Sequence, residues 1–174
     1  DRAVAVHLKV ETGLGRNGIA PADAPVVFAE AARLERIGKL RVVGIFSHLS
    51  NTSPADDRAA LDRFTEALAL ASSLGLTPPL RHLAASHAAI DLPEARFGCV
   101  RLGIAMYGLS PFADRTSADL GLRPAMSLRA AVFDGSLRAS AETEIDAMTC
   151  DCCQTDVAAT ADGAVLVYRD RDAN

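Results

Sequence analysis

What most limits the fold of this chain is an alternation repeated along its first hundred residues: a short apolar run, then a stretch with apolar residues at helical spacing. Ala3 to Val10 reads as a strand, and a helix follows with Asp23 as its N-cap, Val27, Ala31 and Leu34 on one face and Gly38 as its stop. Leu40 to Ser47 reads as a buried strand, Asp56 to Leu74 as a helix displaying Leu61, Phe64, Leu68 and Ala71, and Leu80 to Ala84 as a third strand. A short helix over Ala88 to Leu92 and a strand-like start to the segment Cys99 to Gly108 complete a βαβαβαβ order. Strands separated by single helices imply a parallel α/β sheet, either doubly wound or part of a (β/α)8 barrel.

The polar residues favour the barrel. His7, Lys9, Glu11 and Arg16 accompany the first strand, Ser47 and His48 the second, Ser86 and His87 the third, and Arg101 the fourth. All are assigned to strand carboxyl ends, where barrel enzymes gather their active sites. Beyond Pro111 the pattern changes to a loop-like stretch, a strand over "AMSLRAAVF" and an alternating strand in "GAVLVYRD". The expected division is a partial barrel over residues 1–122 and a β-rich module over 123–174.

With 49% hydrophobic residues in 174 the chain can bury a core, and no apolar run approaches the roughly 20 residues that span a bilayer. A net charge of −4 without a basic cluster argues against nucleic acid as a partner. The start, Asp1-Arg2-Ala3-Val4, lacks the order of a secretion signal, so the expectation is a cytoplasmic protein. A strand that begins almost at once, without an initiator Met, leads us to expect a fragment of a larger protein. Cys150, Cys152 and Cys153 cluster, but Cys99 offers no second half of a zinc site, so reduced thiols and no metal are expected.

The stretch "VHLKVETGLGRNGI" places Gly13-x-Gly15-x-x-Gly18 after a strand, the spacing of a dinucleotide loop. That fingerprint also needs a helix opening at the glycines and an acidic residue ending the next strand. Pro21 and a helix starting near Asp23 fail the first condition, and Ser47-His48 fails the second. The glycines instead suit a tight loop that brings backbone near a ligand while Arg16 reaches inward.

The same stretch resembles the alanine racemase segment H-x-K-x-D-T-G-x-G-R-x-G. Three further stretches agree in order: "GIFSHLSNTSPADD" from Gly44, "RHLAASHAAIDLP" from Arg81 and "VRLGIAMYGLSP" from Val100, with "LRPAMSLRA" from Leu122 downstream. The resemblance implies an N-terminal (β/α)8 barrel that binds pyridoxal 5'-phosphate and a C-terminal β domain. It further implies a homodimer that interconverts L- and D-alanine for peptidoglycan. Arg101 then faces the pyridine nitrogen of the cofactor, His48 stacks on its ring, and Ser86 with the backbone of Gly103 and Ile104 holds its phosphate. Arg16 contacts the phenolic oxygen and the substrate carboxylate, and Lys9 matches a lysine that many members carbamylate to orient that arginine. In the tail, Cys150 and Asp151 match substrate-side positions of a C-M-D-Q segment.

Racemisation needs two bases on opposite faces of the substrate, which the family supplies as the lysine that carries the cofactor and a tyrosine from the partner subunit. Neither is visible: the lysines are Lys9 and Lys39, and the tyrosines Tyr107 and Tyr168 stand in other segments. The expectation is an upstream truncation and an internal deletion. Glu11, Ala85, Gly98 and Leu102 replace the usual Asp, Asn, Asp and Pro. Two alternatives stay open: a non-catalytic chain that binds the cofactor or a partner, and a racemase of serine or another small amino acid.

Overall fold

A computed structural model describes residues 3–131, 136, 138–147, 156–160 and 163–167. The chain divides into two compact units, Asp1–Leu102 and Gly103–Asn174; the division expected after residue 122 falls inside the second.

The first unit holds strands β1 (Val4–Lys9), β2 (Leu40–Phe46) and β3 (Leu80–His82), paired in parallel in the order β1-β2-β3. Helix α1 (Ala24–Arg36) links the first two, α2 (Pro54–Ser73) the next two, and a short α3 (Ser86–Asp91) follows the third. The fourth strand expected from Cys99 is reduced to a single parallel bridge between Ala85 and Arg101. A 3₁₀ turn at Ile104–Tyr107 takes up the residues beyond it, and the flanking glycines Gly103 and Gly108 favour such a turn over a strand.

Local chemistry explains the helix ends. Ser53 caps α2 by accepting the Asp56 N–H at 3.1 Å, with Pro54 in the first turn. Gly75, at φ 87°, ends that helix in the left-handed region, and Gly38 at φ 71° does the same for α1. Asp23 precedes α1 as expected, but its backbone is already helical and its side chain makes no capping bond.

The core of this unit lies between the sheet and its helices. Phe28 and Phe64 are fully buried with Ile45 and Leu83, and Phe64 meets Phe97 edge-on at 5.2 Å between centroids. The buried stripe of α1 is Ala24, Phe28, Ala31 and Ala32, so the expected face is shifted and Val27 is exposed. The bulky Phe28 sets the rotation of the helix, because burying its ring outweighs burying Val27. On α2 the expected face holds, with Leu61, Phe64 and Ala71 buried and Leu68 partly so.

In the second unit Gly108 closes the 3₁₀ turn at φ 81° and packs on the backbone of Arg123. Strands β4 (Leu128–Ala130) and β5 (Thr143–Asp146) pair antiparallel, as do β6 (Asp156–Thr160) and β7 (Gly163–Val167). The strands β5 and β6 were not legible in the sequence, where small and acidic residues hide the alternation. Among the described residues no helix is long and apolar enough to cross a membrane, and no group of three His, Cys, Asp or Glu could hold a metal ion.

Candidate functional site

At the carboxyl ends of the three strands, a guanidinium collects the chain. Arg101 is half-buried, and its two terminal nitrogens reach five acceptors. One donates to His82 Nδ1 at 2.6 Å and the His82 carbonyl at 3.2 Å. The other donates to the Ser47 carbonyl at 2.7 Å, His48 Nδ1 at 3.0 Å and the Leu83 carbonyl at 3.3 Å. Its Nε has no partner among the described residues, and no described carboxylate pairs with the charge. Arg101 reaches this place through its bridge to Ala85, which aligns it beyond the end of β3.

A guanidinium only donates, so the nitrogen facing it on each histidine must be an acceptor. His82 therefore carries its proton on Nε2, which is 3.2 Å from His7 Nδ1 and donates to it. The result is a directed chain from Arg101 through His82 to His7. The geometry depends on Gly44: the register of β1 against β2 shifts between Val6 and His7, setting His7 opposite Gly44. A Cβ at Gly44 would lie 2.2 Å from His7 Nδ1, so only glycine leaves room for the ring.

Electrostatics keep both rim histidines neutral. Burial, then the positive charge of Arg101, then His7 hold the His82 imidazole down to about 4. Burial lowers His48 as well, assisted by Arg101, Arg16 and Lys9. The guanidinium itself is lowered by burial, yet an arginine stays charged at any physiological pH. Phe46 provides the apolar wall: its ring stacks on His82 at 4.8 Å and lies 5.5 Å from the Arg101 carbon and 5.8 Å from Lys9 Nζ.

Of the residues named from sequence, the fold joins Arg101 to His48 directly and to Lys9 through the shared Phe46 ring. Lys9 lies at the end of β1 and donates to Asn17 Oδ1 rather than to Glu11. Arg16 sits on the exposed loop after β1, near enough to act on His48. Ser86 is buried at the start of α3. Gly103 precedes the 3₁₀ turn that begins at Ile104, in the second unit. Cys150 and Asp151 lie outside the described residues, as do Cys152 and Cys153. Sequence reasoning missed His82 and Phe46, although "RHLAAS" puts a histidine at a strand end as openly as "FSHLS" does.

The glycine-rich stretch makes no helix N-terminus. It folds back on its own strand, with Glu11 N–H on the Ile19 carbonyl and Ile19 N–H on the Lys9 carbonyl, and Gly18 passes so close that a Cβ would sit 2.9 Å from Glu11 N. These glycines serve an approach of the chain to itself.

Comparison with known proteins places the chain in a family. The family model for the N-terminal domain of alanine racemase matches residues 1–111. The chain belongs to the alanine racemase family. The racemase of Thermobifida fusca is 47% identical over 132 residues, which cover 74% of this chain and 35% of that protein. That of Streptomyces coelicolor is 46% identical over 132 residues, covering 73% of this chain and 34% of that protein. Among solved structures, the alanine racemase from the D-cycloserine producer Streptomyces lavendulae superposes with a TM-score of 0.71 at 42% identity, covering 76% of this chain and 36% of that one. This racemase-family chain thus spans about a third of the length of the curated relatives it matches. Its parallel α/β unit is part of a (β/α)8 barrel, which decides between the two architectures open from sequence.

Proposed function

We propose that this chain forms the cofactor-holding part of an alanine racemase, an isomerase that interconverts L- and D-alanine with pyridoxal 5'-phosphate. The observation that carries the reading is Arg101: a half-buried guanidinium with both terminal nitrogens occupied, no described carboxylate partner, and Nε left to donate. The residues fit the cofactor. Within the first unit Arg101 Nε is suited to the pyridine nitrogen, neutral His48 to the ring and Ser86 to the phosphate, and the family resemblance alone adds the backbone of Gly103 and Ile104 to the phosphate.

When bound, the cofactor supplies an electron sink that acidifies the Cα–H of an amino acid. Arg101 keeps its hydrogen at Nε, so it would donate to the ring nitrogen of the cofactor rather than protonate it. His82, backed by His7, holds the guanidinium in place from one side. In this reading Arg16 takes the substrate carboxylate, Lys9 would steady Arg16 once carbamylated, and Asp151 and Cys150 match substrate-side positions of the family.

Neither base matches a residue of this chain. Lys9 is engaged at the rim, Lys39 lies just before β2 at its amino end, and Tyr107 is in the 3₁₀ turn. The remaining length of the enzyme then supplies both. In the same reading residues 1–122 are barrel and 123–174, with their antiparallel pairs, are a remnant of the C-terminal β domain. The enzyme works as a cytoplasmic homodimer feeding peptidoglycan synthesis.

The test is Cα–H exchange of L-alanine in D2O by the cofactor-loaded enzyme and its Arg101→Lys variant. A lysine cannot make the fork, and losing one charge-assisted bond of about 1.5–3 kcal/mol predicts a rate lower by about tenfold to a hundredfold. Equal rates would refute the role of Arg101. No exchange above free cofactor in the parent would leave the non-catalytic alternative.

A further inference from the structure

The loop after β1 carries Arg16 yet is built from residues that do little to fix its shape. Gly13, Gly15 and Gly18 have φ of 133°, 71° and 125°, and glycine reaches many other conformations at similar cost. Packing holds the two ends of the loop, at buried Thr12 and at Gly18 against Val10 and Glu11, while Glu11 itself borders a cavity of about 360 Å³ shared with Arg63, Glu66, Ala67 and Leu70. Hydrogen bonds add to that hold. The Glu11 carboxylate accepts the Gly13 N–H. Burial alone would raise its pKa, but the N–H groups of Gly13, Gly15, Leu14 and Thr12 together hold it below the usual carboxylate range. Arg63, projecting from α2, donates from Nε to the Thr12 carbonyl at 2.8 Å, and its terminal nitrogen fills the space where a Gly13 Cβ would sit. Thr12 is anchored below: the buried Ser47 hydroxyl donates to the Val10 carbonyl at 2.7 Å and accepts from Thr12 Oγ1 at 2.7 Å.

We propose that Glu11 and Arg63 are positioning residues. The carboxylate gathers the loop's donors and the guanidinium takes its acceptor, and together they hold the 12–18 loop in the form that presents Arg16 to the site. The inference rests on the racemase reading for what Arg16 does, but not for how the loop is held. Glu11 is suited to the task because an ionised carboxylate accepts at both oxygens, whereas the amide of a glutamine would turn two hydrogens toward other N–H groups.

The experiment uses the cofactor-loaded enzyme with Glu11→Gln, Arg63→Met and Arg63→Lys, and reads two quantities. Amide hydrogen exchange over residues 12–18 is expected to quicken at least tenfold in Glu11→Gln and Arg63→Met, with α1 and α2 unchanged. Arg63→Lys should recover part of the protection. In steady state, the same variants are expected to raise KM for alanine about tenfold while kcat falls less. Loop exchange equal to the parent's would overturn the clamp, and faster exchange with unchanged KM and kcat would overturn its connection to Arg16. A parent that does not racemise alanine would overturn the racemase reading by itself, while the exchange result still decides the clamp.

Discussion

Lowering the pH should weaken this protein through one named imidazole. An unfolded chain protonates His82 near 6.5, whereas the folded chain refuses the proton until about 4. Between those values the unfolded state binds more protons, so stability falls as the pH falls, beginning near 6.5 and complete at about 4. Each pH unit in that window is worth about 1.4 kcal/mol, so His82 accounts for a loss of about 3 kcal/mol. His48 adds to the loss in the same direction. The assay is urea unfolding from pH 7.5 to 4.5 on the parent and on His82→Gln, whose amide oxygen can still accept from Arg101 but does not titrate. Carboxylates common to both cancel in the difference between the two pH slopes. The parent should lose about 2.5 kcal/mol more than the variant between pH 7.5 and 4.5, where the titration is nearly but not fully complete. Parallel slopes would refute the account, because they would mean that His82 accepts its proton as readily when folded as when unfolded.

Phe64→Ala removes a fully buried ring that meets Phe97 edge-on, and should cost about 3–5 kcal/mol, read as a lower urea midpoint at unchanged m-value. Gly108→Ala meets a left-handed φ of 81° and would bring a Cβ to 1.8 Å from the Arg123 carbonyl oxygen. A cost of at least about 2 kcal/mol follows, seen as faster limited proteolysis between Gly103 and Arg123 with exchange in α2 unaltered.

The order of the first unit was legible because each helix carries its own punctuation. Gly38 ends α1 as expected, while α2 begins at Pro54 rather than at the expected Asp56 because Ser53 supplies its cap. What was not legible depends on packing across the sheet. Val27 and Phe28 both fit a helical stripe, and only the space above the sheet selects the ring. The fourth strand shrank to one bridge at Arg101 because Gly103 and Gly108 bracket a 3₁₀ turn directly after it. At the site, the family resemblance pointed to Arg101 and His48. His82, by contrast, becomes visible only when β3 lies beside β2 and its ring is seen between a guanidinium and His7. The strands β5 and β6 carry no bulky alternation, so nothing in their sequence marks them as strands.

The separations along the chain at Arg101 bear on how such a site comes into being. Its partners stand 18, 19, 53 and 54 residues earlier. No local segment can rehearse those bonds, and each requires a loop of that length to have closed first. During synthesis Arg101 follows every one of its partners out of the ribosome, so the rim is sealed from the very end of the unit. A partly made chain can own its helices and its first strands and still have no anchor for a ligand. Occupancy of the site is thereby a report that all three strands have found their neighbours.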